Sequence, residues 1–183
     1  MGLYHFSEDP SIRVFRPHIA RTSAIQDEAF VWAIDDWHAP TYFLPRDCPR
    51  VCFWAGPQTS DEACSRWLND REPRFVMLVE ADWLERIRNA ELYRYTMPEG
   101  SFRPAPLGPR GTYVSRETVT PLQMDPVGDL LLALSGAGVE LRVLDRLGPM
   151  WKEIRSGSSL SFSGIRLLNA IGYPEEFRDP LGT

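Results

Sequence analysis

Proline sets the limits on what this chain can fold into. There are 16 prolines in 183 residues, against a usual share of about 5%. Each one fixes φ and removes a backbone donor, so it is tolerated at turns, helix starts and sheet edges but not inside long elements. The apolar runs left between prolines are short. Short strands and short helices joined by fixed turns are therefore predicted, and a long-helix bundle is excluded. No run approaches the 18 apolar residues that a membrane span would need.

At 183 residues the chain is predicted to form one domain, 1–183, large enough to fold without staples. Apolar residues make up 43% and charged ones 25%, an ordinary globular balance, and the six tryptophans predict a core rich in large rings. The formal net charge of −5, with acids and bases interspersed, argues against a broad nucleic-acid surface. A local pocket for one phosphate remains compatible with it. Three cysteines, Cys48, Cys52 and Cys64, and an opening without a charged region followed by an apolar run predict reduced thiols and a cytoplasmic address. Cys48, Cys52 and Cys64 with His38 reach the ligand count of a zinc site. Cys52, however, lies in an apolar strand-like run, so these read as core thiols and no metal is expected.

Strands are predicted at Leu3 to Ser7, Phe30 to Ile34, Val51 to Ala55, Phe75 to Val79, Glu91 to Met97, Thr112 to Ser115 and Val139 to Leu144. Phe75 to Val79 is continuously apolar, as in a strand covered on both faces. Asp35 or Asp36 is predicted to cap a short turn carrying Trp37, Pro40, Tyr42 and Phe43. Thr59-Ser60-Asp61-Glu62 has the capping-box pattern, followed by a helix with Ala63, Cys64, Trp67 and Leu68 on one face. Asp82 to Ala90 is predicted helical, and Pro98 to Pro109 reads as a loop. The strongest helix signal begins at Asp125-Pro126, with Val127, Leu130, Leu131 and Leu134 at helical spacing. A short helix over Met150 to Ile154 follows. The alternation lacks regular βαβ spacing, so the predicted class is α+β: a mixed, mostly antiparallel sheet flanked by short helices.

The common phosphate-loop, dinucleotide, zinc-protease and esterase motifs are absent. Of the three histidines, His18 reads as a surface residue and His38 as part of a structural turn. His5 stands out, because an imidazole inside an apolar strand costs energy unless it is hydrogen-bonded.

Several segments, Leu3-Tyr4-His5-Phe6-Ser7, Val31-Trp32-Ala33-Ile34-Asp35, Pro45 to Arg50, Tyr113 to Pro121 and Gly138 to Arg142, resemble an uncharacterised bacterial family of unknown function. The opening strand, of the form L-Y-H-[FIV]-[ST], is also similar to that of ADP-ribosyltransferase-like domains. That second resemblance implies a role for His5, with Ser7 beside it, in holding the adenosine-side ribose of NAD. It implies that Trp32 and Tyr42 serve as rings for the nicotinamide, and the Arg46 fork suits the pyrophosphate. NAD would be a substrate, and no cofactor is required. Cleavage of its glycosidic bond passes through an oxocarbenium-like state that a carboxylate stabilises. Where the resemblance calls for a glutamate at the start of a late strand, this chain has Gly111-Thr112-Tyr113, and the nearest acid is Glu117. Two other readings stay open. One is a non-catalytic binding domain of the same fold. The other is a small-molecule hydrolase using the Arg46-Asp47-Cys48 loop, with Cys48 as nucleophile and His38 as its base.

Overall fold

The computed structural model describes residues 2–19, 28–68 and 73–177. The fold is α+β, with ten strands in two sheets among the described residues, where one sheet was expected. The chain divides into two compact units, Met1–Arg46 with Ala90–Leu130, and Asp47–Asn89 with Leu131–Thr183.

The first unit holds β1 (Leu3–Ser7), β2 (Val31–Asp35), β5 (Tyr93–Met97), β6 (Arg103–Pro104), β7 (Thr112–Ser115) and β8 (Gln123–Pro126). They form a six-stranded sheet in the order β6-β7-β2-β1-β5-β8, antiparallel at every pairing. Its core gathers Leu3, Val31, Ala33, Tyr95 and Met97 with Phe15, Phe102 and Val119. Side chains alternate across a strand, so these residues mark one face of the sheet as the packed one.

The second unit holds β3 (Arg50–Trp54), β4 (Phe75–Glu80), β9 (Val139–Leu144) and β10 (Ser161–Ile165), in the order β10-β3-β4-β9. Only the β4–β9 pairing is parallel. Every residue of β4 is buried, as its unbroken apolar run predicts. The α-helices among the described residues are α1 (Asp61–Trp67), α2 (Leu84–Asn89), α3 (Leu130–Gly136) and α4 (Gly148–Gly157). Val51, Phe53, Val76, Leu78, Trp67 and Ile154 share the core of this unit, each contributing roughly 1.5–3 kcal/mol through burial. Among the described residues no helix is long and apolar enough to cross a membrane.

Two local expectations are corrected. The cap of α1 is Ser60, whose hydroxyl accepts the Ala63 N–H at 3.2 Å. Thr59 instead accepts the Gly56 N–H at 2.8 Å and donates to the Ser159 carbonyl at 3.0 Å. The helix expected from Asp125-Pro126 begins only at Leu130. Asp125 lies in β8 opposite Arg94, whose guanidinium reaches its carboxylate at 3.3 Å. Pro126 ends this edge strand, where a missing N–H costs no ladder bond. Gly128 then turns the chain at φ 81°.

Candidate functional site

The ladder between β1 and β2 is short. Leu3 pairs with Asp35 and Tyr4 with Ile34, whereas β1 stays paired with β5 as far as Ser7. His5 stands where the first ladder stops. Its Nδ1 lies 2.8 Å from the Trp32 carbonyl oxygen. A carbonyl has no proton to give, so Nδ1 carries the hydrogen and donates it. Nε2 of the neutral ring is left as an acceptor, with no partner among the described residues.

His5 keeps some exposed surface, yet the protein packed around it pushes its pKa down to about 4, and the charges of Arg46 and His18 press the same way. The imidazole therefore stays neutral at ordinary pH. Phe15 walls it, with ring centroids 4.7 Å apart.

Strand alternation sorts the other residues named from the sequence. His5 and Ser7 lie on the face of β1 that carries Leu3 into the core. Val31 and Ala33 occupy that same face on β2, so the Trp32 ring lies on the opposite one. There it packs edge-on against Phe30 at 5.9 Å, with its Nε1 buried and unpartnered. Trp32 thus meets His5 through its backbone alone. Ser7 is buried and its hydroxyl accepts the Asp9 N–H at 3.1 Å.

Tyr42 ends a 3-10 turn, Ala39–Tyr42. Phe43 follows it and packs against Phe6, on the outer face of β1, at 5.4 Å. Arg46 is exposed, its backbone N–H donates to Glu8 Oε2 at 3.2 Å, and its charge acts on His5.

Because β1 opposes β2 and β2 opposes β7, Ser7, Val31 and Ser115 lie at one end of this sheet. Glu117 follows at that end, exposed, with its backbone N–H donating to Ser115 Oγ at 3.1 Å. Bridges from Phe15 to Val119 and from His18 to Phe30 bring residues 15–18 to the same end. At the start of β7, Thr112 donates its hydroxyl to the Pro109 carbonyl at 2.7 Å.

Sequence reasoning missed two features. Phe15 and Tyr95 surround His5 through long-range contacts that leave no periodic signal. The second is local: Asp35 Oδ1 accepts the backbone N–H of His38 at 2.8 Å, the turn cap expected of it, and also accepts the ring Nδ1–H of His38 at 2.8 Å, which was not foreseen. The spacing of an aspartate three residues before a histidine in a turn could have revealed it. In the second unit, burial raises the pKa of Cys48 to about 11 and that of Cys52 to about 12, so neither supplies much thiolate at neutral pH. Among the described residues no metal-ligating cluster of three or more side chains forms.

No curated protein and no solved structure matches this chain. A protein-family profile does, across residues 4–170, a span that includes His5, the β1–β2 junction and Glu117. The chain belongs to that family, a family of unknown function designated DUF6886.

Proposed function

We propose that the first unit binds NAD or a related ribonucleotide where β1 and β2 part, with His5 as the group that takes a ribose hydroxyl. The observation that carries this reading is the fixed hydrogen bond from His5 Nδ1 to the Trp32 carbonyl. It leaves a neutral, oriented Nε2 that accepts from a hydroxyl and has nothing to donate to an anion. The exposed Arg46 guanidinium, whose field reaches His5, suits a pyrophosphate. Ser7 lines the same face of β1, and Tyr42 precedes the segment that returns beside Phe6. Glu117, one of several carboxylates at this end of the sheet, is the one that would stabilise positive charge developing on the ribose during transfer or hydrolysis of ADP-ribose.

A second reading, nucleotide binding without transfer, is favoured by one observation. The start of β7, where the resemblance calls for a glutamate, is occupied by Thr112, and Glu117 lies beyond the strand in an exposed turn.

Thermal unfolding with NAD, ADP-ribose and ATP, for wild type and His5→Ala, tests the binding. A ligand at 100 times its Kd stabilises a fold by about 2.7 kcal/mol. The expected result is a shift with NAD or ADP-ribose that His5→Ala abolishes, and a wild type that shifts with none of the three overturns the reading. Nicotinamide release that disappears in Glu117→Gln then indicates transfer or hydrolysis. Binding without release indicates the second reading.

A further inference from the structure

We propose that Tyr95 and Phe15 are positioning residues for His5, holding the imidazole on the Trp32 carbonyl so that Nε2 faces the ligand as an acceptor. The identity of that ligand group, a ribose hydroxyl, rests on the nucleotide reading above. The positioning itself rests on packing.

Tyr95 stands directly opposite His5 in the β1–β5 ladder and is fully buried. Its hydroxyl donates to the Asp9 carbonyl at 2.6 Å. One side chain therefore ties the start of the turn that leaves β1 to β5. Within that turn, Asp9 Oδ1 accepts the Ser11 N–H at 2.8 Å and the Ser11 hydroxyl at 2.6 Å. The turn delivers Phe15, which is fixed in both directions to Val119 by backbone bonds of 2.8 Å.

The Phe15 ring then lies 5.2 Å from Tyr95, nearly perpendicular at 79°, and 4.7 Å from His5. Tyr95, Phe15 and His5 form one contiguous stack of rings. A histidine that could swing away from Trp32 would be free to take either tautomer. Phe15 occupies the space such a swing needs, and Tyr95 keeps Phe15 there. The charges that face His5 are those of Arg46 and His18. Arg46 only donates, so it offers no acceptor that would compete with Trp32 for the Nδ1 proton.

Nitrogen-detected NMR of the histidines in the ligand-free full chain reads both the tautomer and the titration midpoint of His5. In the wild type the Nδ1–H tautomer and a midpoint near about 4 are expected. Tyr95→Phe removes only the hydroxyl that holds the turn. The His5 midpoint is then expected to rise towards the ordinary 6.5 as water reaches the ring, and the Kd for NAD to weaken about tenfold, equivalent to about 1.4 kcal/mol. Phe15→Leu keeps an apolar plug, loses the ring, and moves the midpoint in the same direction, so it carries the test should Tyr95→Phe not fold. Tyr93→Phe, which loses an exposed bond to Glu91, is the control and leaves His5 unchanged. Folded variants whose stability falls while the His5 midpoint and tautomer stay put would overturn the proposal. So would a wild-type His5 protonated on Nε2. A moved midpoint in a protein that binds no nucleotide supports the positioning and overturns the nucleotide reading alone.

Discussion

Glu80 accepts the backbone N–H of Ile171 on both carboxyl oxygens, each at 3.1 Å. A further bond at 3.1 Å comes from the N–H of Leu147, the residue at the N-terminal boundary of α4. Glu80 ends β4 and is completely buried. A polar group so placed is tolerated because backbone donors surround it, and the positive end of the helix favours it further. In this way one side chain ties two connecting segments of the second unit to its sheet. Glu80→Gln turns donors towards donors, and a loss of about 2–4 kcal/mol is expected. Chemical denaturation measures it; a change under ~0.5 kcal/mol, the range of surface substitutions, would show that these bonds contribute little.

His5 gives the first unit a defined pH response. Its pKa falls from 6.5 to about 4 on folding, so between those values the unfolded chain binds the proton that the folded chain refuses. Stability is therefore fully present above about pH 6.5 and declines as the pH drops towards 4, by up to about 3 kcal/mol from this residue. His5→Gln cannot titrate, and its stability profile across that window is expected to be flatter than that of the wild type. Parallel profiles for the two proteins would mean that the imidazole titrates normally in the fold.

The parts of this architecture that could be read in advance are those set by neighbours in sequence. Phe75 to Val79 declared a doubly covered strand through its unbroken apolar run, and Leu3 to Ser7 through its composition. The Asp125-Pro126 signal failed because a cap residue followed by proline satisfies the end of an edge strand as well as the start of a helix. Tertiary pairing with Arg94 decided between them. Division into two sheets was illegible for a similar reason. β7 joins β2 and β10 joins β3, and such non-local pairings leave no periodic trace. The site follows the same rule: His5 was visible as a misfit in an apolar strand, whereas Phe15, Tyr95 and the Trp32 carbonyl reach it only through the fold.

Gly111 sits at φ 77°, and a Cβ there would overlap the ring of His38 and approach Asp35 Oδ2 at 2.8 Å. Its carbonyl also accepts the Asp35 N–H at 2.9 Å. Glycine is thus required twice, for the left-handed backbone and for the room taken by the Asp35–His38 pair. Gly111→Ala is expected to cost about 2–4 kcal/mol and to shift the His38 ring resonances. Gly100→Ala, where the new methyl meets nothing within 4 Å, should cost little. Equal melting temperatures for the two variants would show that the turn relaxes around a side chain.

The cysteines give a direct test of the hydrolase alternative. Cys48 and Cys52 are completely buried, and burial raises their pKa values to about 11 and about 12. Arg50 pulls both down, but more weakly than burial pushes up. At neutral pH each thiol is then ionised to less than about one part in a thousand, and the thiolate is the reacting species. Cys64 is the cysteine with exposed surface. A thiol reagent at pH 7 is expected to modify the native protein fast at one site, lost in Cys64→Ser, and to reach Cys48 and Cys52 only on unfolding. Fast labelling of native Cys48 that depends on His38 would reverse this ordering and make Cys48 an activated nucleophile, with the Arg46-Asp47-Cys48 loop as the place to look for chemistry.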